Sequence, residues 1–104
     1  MIEVEVSLPG GRPSLPVADL VERVCTTAGL HLSLKGTLAQ YPGSIHWHFR
    51  KGHQRGTLEI TWWERENRLW FKVAAGRSAA WIDDELLADL SKRIRQALLR
   101  TDGN

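Results

Sequence analysis

Three stretches of this chain alternate apolar and polar residues with a period of two, and that alternation limits the fold more than any other feature. In "IHWHFR" (residues 45–50), Ile45, Trp47 and Phe49 share one face of an extended chain, while His46, His48 and Arg50 share the other. "GTLEITWW" sets Leu58, Ile60 and Trp62 against Thr57, Glu59, Thr61 and Trp63. "RLWFKV" sets Leu69, Phe71 and Val73 against Arg68, Trp70 and Lys72. Short loops rich in glycine, asparagine and charge join the stretches, which predicts an antiparallel meander. The three all-apolar sets must share one buried side. Because directly opposed residues point the same way, this requirement fixes the parity of the register. Glu59 must then oppose His48 or His46, and Trp63 must oppose Trp70 or Arg68.

Two more alternating segments read as strands, residues 2–8 ("IEVEVSL") and residues 30–38 ("LHLSLKGTL"). The first could pair within the main sheet or with a symmetry-related chain. Between them, "SLPVADLVERVCTTAG" predicts a helix. Ser14 can cap it, Pro16 fits the first turn where its missing N–H is harmless, and Gly29 suits the left-handed position after the last turn. Val17, Leu20, Val21, Val24 and Ala28 form its apolar stripe. Cys25 lies beside that stripe and reads as a small buried hydrophobe. "AQYPGS" is a turn. The segment "WIDDELLADLSKRIRQALLR" predicts a long final helix with Ile82, Leu86, Leu90, Ile94 and Leu98 spaced by four. Its acidic residues come early and its basic ones late, as the helix dipole favours. Ahead of it, "AAGRSAAW" could offer backbone N–H groups, Arg77 and Ser78 to a phosphate, but Asp83, Asp84 and Glu85 would repel an anion there. The plainer expectation is that Ser78 or Asp83 caps the helix and Trp81 anchors it to the sheet.

The element order is therefore β-α-β-β-β-β-α. Consecutive strands with short loops make an antiparallel sheet, and two amphipathic helices can cover only one of its faces. The expected fold is α+β, a two-layer sandwich with an antiparallel meander sheet of 4–5 strands and both helices on one face. The helix–meander–helix portion is similar in outline to frataxin-like folds. The resemblance is one of element order: the first helix carries only Asp19 and Glu22 where frataxins hold iron along an acidic ridge, so it implies no function. A chain of 104 residues has room for a single domain over 1–104. Its apolar runs are too short for a membrane span, its first residues lack the basic and apolar regions of a signal peptide, and one cysteine suits a reducing compartment. These features predict a cytoplasmic protein that does not engage a membrane.

Charge is distributed unevenly. No acidic residue lies between Glu22 and Glu59, an interval that contains all four histidines together with Arg23, Lys35, Arg50, Lys51 and Arg55. The candidate functional surface is the sheet face away from the helices, where His46, His48, Arg50, Glu59, Trp63, Trp70 and Lys72 are expected to gather. No predicted element covers it, and two exposed tryptophans side by side call for a partner or for cover from long neighbouring side chains or the "PGGRPSLP" segment. Trp63 and Trp70 would be apolar anchors, with the charged residues and histidines setting polarity. The expected role is non-catalytic binding of a protein partner or of a second copy of the chain.

Two alternatives use the same face. Aromatic and basic residues on a sheet can bind single-stranded nucleic acid or another anion. His46 and His48, about 6.5–7 Å apart along the strand, could join Glu59 as metal ligands or as an acid–base pair in an enzyme. Lys72 and Arg50 oppose a cation there, and histidines packed on tryptophan or paired with Glu59 are a simpler outcome, so the sequence predicts no metal and no cofactor. It predicts no catalytic residues either. Ser33, Ser44 and Ser78 lack the setting of a nucleophile, and Cys25 lies mid-helix.

Overall fold

The computed structural model describes residues 2–8 and 16–102. Five strands, β1 (Ile2–Val6), β2 (His31–Gly36), β3 (Ile45–Arg50), β4 (Leu58–Trp63) and β5 (Arg68–Val73), form one antiparallel sheet in the order β1-β5-β4-β3-β2. Helices α1 (Val17–Thr27) and α2 (Asp84–Asp102) complete the expected α+β class and element order. Strands β2 to β5 run as a meander. β1 closes the far edge by pairing with β5, from Ile2 opposite Val73 to Val6 opposite Leu69, which answers the question of its partner.

The core follows the period-two pattern. Trp47, Phe49, Leu58, Ile60, Trp62, Leu69, Phe71 and Val73 are all buried, together with Val17, Leu20, Val21 and Cys25 of α1 and Leu87, Leu90, Ile94 and Leu98 of α2. Burial pushes the Cys25 thiol up to about 12, so it stays a neutral packing group. α1 ends as its glycine predicts. Gly29 adopts φ 88°, while Leu30 N–H donates to the Cys25 carbonyl and Gly29 N–H to that of Thr26, closing the last turn. Pro16 sits just outside the first turn, at φ −59°. The proposed Ser14 cap lies outside the described residues.

The final helix starts after the later of the two caps the sequence offers, Asp83 rather than Ser78. Trp81 and Ile82 belong to the turn before α2, and the Asp83 carboxylate accepts the Leu86 N–H at 2.8 Å as its cap. Both hydrophobes are still buried, because the turn packs on the loop between β3 and β4. The Trp81 indole donates to the Arg55 carbonyl at 2.7 Å, and Thr57 N–H donates to the Arg77 carbonyl. Gly56 permits this approach. Its φ is 103°, and a Cβ there would lie 2.6 Å from that of Ala79.

β2 is a strand as expected, but its alternation buries nothing. All six residues are exposed, including Leu32 at 43% and Leu34 at 48%. The register shifts between Leu32 and Leu34, and the strand lies at the sheet edge. Glu22 ties α1 to this side of the sheet. Its carboxylate accepts the indole N–H of fully buried Trp47 at 2.9 Å and pairs with Lys35 of β2. The hydrogen bond from Lys35, then the one from Trp47, hold the Glu22 carboxyl below its ordinary value of 4.5. A lowered folded value means that the unfolded chain binds the proton more readily, so this stabilisation is complete above pH 4.5 and fades as pH falls through the folded value. Glu22→Gln should lower stability by about 1 kcal/mol at neutral pH, or about 4–8 °C in Tm, with the gap from wild type narrowing in acid. Thermal melts between neutral pH and pH values below 4.5 check both the size and the sign.

Candidate metal centre

Register brings the site together. β3 pairs with β4 so that His48 stands opposite Glu59 and His46 opposite Thr61, with all four side chains on the face away from the helices. Of the two partners parity allowed for Glu59, the chain uses His48. The side chains are largely enclosed, at 9% exposure for His46, 13% for Glu59 and 18% for His48.

Three donor atoms meet over β3 and β4. The two histidine Nε2 atoms are 3.1 Å apart, and Glu59 Oε1 lies 3.3 Å from that of His46 and 3.7 Å from that of His48. Among the described residues, this is the group of histidine, cysteine or carboxylate side chains with the convergence a metal ion needs. Donors in a tetrahedral zinc site stand about 3.3 Å from one another, given bonds of about 2.05 Å. A point about 2.05 Å from all three of these atoms lies about 0.6 Å out of their plane, against about 0.7 Å for an ideal tetrahedron. Two imidazoles and one carboxylate suit zinc and its first-row neighbours, and the described residues supply no fourth ligand.

The surroundings favour a neutral ring at His46. Desolvation by burial is the largest influence on His46, followed by the neighbouring His48; together they hold its ring below the ordinary value of 6.5 despite the opposing pull of Glu59. The ring is therefore neutral near neutral pH. Its Nδ1 lies 2.8 Å from Thr61 Oγ1, and Thr61 is itself buried. With the proton on Nδ1 donated to that hydroxyl, Nε2 presents its lone pair to the other two donors. This is how a metal-binding histidine is oriented by its neighbour. These distances fit either hydrogen bonds, with a ring N–H donated to the other ring or to Glu59, or a metal ion held among the three atoms.

The remaining residues assigned to this face divide into three groups. Lys72 stands across from Glu59 on β5 and is half-buried. Arg50 is directed to the loop after β3, where its guanidinium donates to the Gln54 carbonyl at 3.5 Å, and does not join the triad. The tryptophans lie on the expected face, but their expected exposure needs correction. Trp70 is only 5% exposed and Trp63 is half-buried. The cover is Tyr41, from the turn between β2 and β3, whose ring centroid is 5.0 Å from each indole. The same turn accepts the Trp63 indole N–H at the Pro42 carbonyl, and Arg68 lies 4.7 Å over Trp70 while holding Glu5 with two hydrogen bonds. Sequence reasoning passed over Tyr41; the available signal was a lone tyrosine in a Pro-Gly turn beside two outward tryptophans.

No protein-family model matches this chain, nor does any curated protein or solved structure. The likeness to frataxin-like folds therefore stays at element order.

Removing the cover gives a direct check. Tyr41→Ala should cost about 1–3 kcal/mol through the two lost aromatic contacts and the newly wetted indoles. Acrylamide quenching of tryptophan fluorescence should rise in the variant while the far-UV circular dichroism stays unchanged.

Proposed function

We propose that this protein binds a divalent transition metal, zinc above all, through His46, His48 and Glu59, with the fourth position open to water or a ligand. The observation that carries the reading is the spacing of the three donor atoms, 3.1, 3.3 and 3.7 Å, which matches one face of a metal tetrahedron. Closed structural zinc sites use four protein ligands, whereas three with an open position is the arrangement in which zinc polarises or activates what it binds. The chemistry available is Lewis-acid activation of a bound oxygen. In this reading Glu59 belongs to the ligand set rather than orienting His48 as a general base. No helix among the described residues is long and apolar enough to cross a membrane, and a cytoplasmic setting is part of the proposal.

A second reading keeps the sequence-based expectation of a protein partner or homodimer but changes the surface. The tryptophan pair is occupied by Tyr41, which also removes Trp70 as a stacking platform for single-stranded nucleic acid. In its place β2 offers an exposed edge with Leu32 and Leu34 uncovered, the kind of edge that adds a further strand.

Competition against a chromophoric chelator tests the metal reading. Purified protein should take up one zinc ion per chain. His46→Ala, His48→Ala and Glu59→Gln should each weaken binding by about 100-fold or more, and Thr61→Val by about 10-fold. Equal zinc affinity in wild type and all four variants, or no uptake by wild type, would refute it.

A further inference from the structure

Resting on the metal reading, we infer that the open fourth position takes a small oxyanion, a carboxylate or a phosphate, one oxygen bound to the metal and another held by Lys72. The argument starts from charge. Two neutral imidazoles and one carboxylate leave a divalent ion with a single uncompensated positive charge. Lys72 adds a second, because it stands directly across from Glu59 on the same face and its charge is felt at His46.

The acids on this face make no ion pair with Lys72. Glu5 is engaged by Arg68 through two hydrogen bonds. Glu3 stands opposite Lys72 on β1, on the side away from the metal ligands, and among the described residues Lys72 joins no ion pair with it or with Glu59. A half-buried ammonium beside a positively charged centre is costly unless an anion bridges the two.

The flanks leave a way in. On the β2 side the residue opposite His46 is Gly36, where even an added Cβ would meet nothing within 4 Å, and the residue opposite His48 is exposed Leu34. On the other side, Thr61 and Trp70 close the floor under Tyr41. A small anion can therefore enter over β2, and to touch both groups it must settle above β4, between the β3 ligands and Lys72 on β5.

Cobalt(II) in place of zinc makes this measurable, because its visible spectrum reports coordination. Cobalt-loaded protein should show the intense bands of a four-coordinate site, and these should shift on titration with inorganic phosphate and with acetate. Lys72→Gln should keep the starting spectrum and bind cobalt at least as tightly, since a repelling charge is removed. It should weaken both anions by about 10-fold, and Lys72→Arg should recover part of the loss. A four-coordinate spectrum that neither anion moves, or that moves equally in Lys72→Gln, overturns the anion site while the metal reading stands. Failure of wild type to bind cobalt at all overturns both. A response to phosphate without one to acetate, or the reverse, fixes which oxyanion class the site accepts.

Discussion

The pairing of β3 with β4 is the constraint from which both the core and the site follow. Trp47 stands opposite Ile60 and Phe49 opposite Leu58, while on the other face His48 stands opposite Glu59. A slip of one residue would turn His46 and His48 into the apolar layer under α1 and α2 and put Trp47 and Phe49 in water. Burying a large apolar side chain is worth about 1.5–3 kcal/mol, and several on these two strands depend on the register at once. Core packing therefore holds the histidines and the carboxylate at a fixed separation without help from any ligand. Site geometry is inherited from the hydrophobic side of the same strands.

That inheritance explains why so much was legible in the sequence. Strict alternation in β3, β4 and β5 identifies the inward set, and parity then narrows the partner of Glu59 to two histidines. The choice between them depends on the loop joining β3 to β4, where Gly56 lets the chain pass close to Ala79. Local sequence does not encode that contact, because the β5–α2 connection lies about twenty residues away and reaches the loop only through the tertiary fold. The choice between the Ser78 and Asp83 caps of α2 was hidden for a related reason. Ile82 keeps the spacing of the apolar stripe, yet it is buried from a turn that Trp81 and Asp83 hold in place.

Two other features were hidden because they depend on turns and edges rather than on periodicity. Alternation in β2 suggests a half-buried strand, but an edge position and a register shift leave both faces in water. Tyr41 reads as an ordinary turn residue, and only the path of the chain from β2 back to β3 lays it over Trp63 and Trp70. The face expected to present two tryptophans thus presents a covered aromatic cluster beside a convergent triad. The proposed function accordingly rests on the chemistry of His46, His48 and Glu59 rather than on apolar anchoring. The two cationic neighbours that argue against a metal differ in position. Arg50 is engaged at a loop carbonyl, whereas Lys72 stands across from Glu59, where in the proposed site it would add positive charge beside the fourth position.

X-ray absorption at the zinc edge, recorded on protein loaded with one zinc ion per chain, tests the central claim most directly. The account predicts four nitrogen or oxygen neighbours at about 2.0 Å, no sulfur, and the outer-shell scattering of two imidazoles. Six oxygen neighbours at longer distance, or scattering from fewer than two imidazoles, would contradict it.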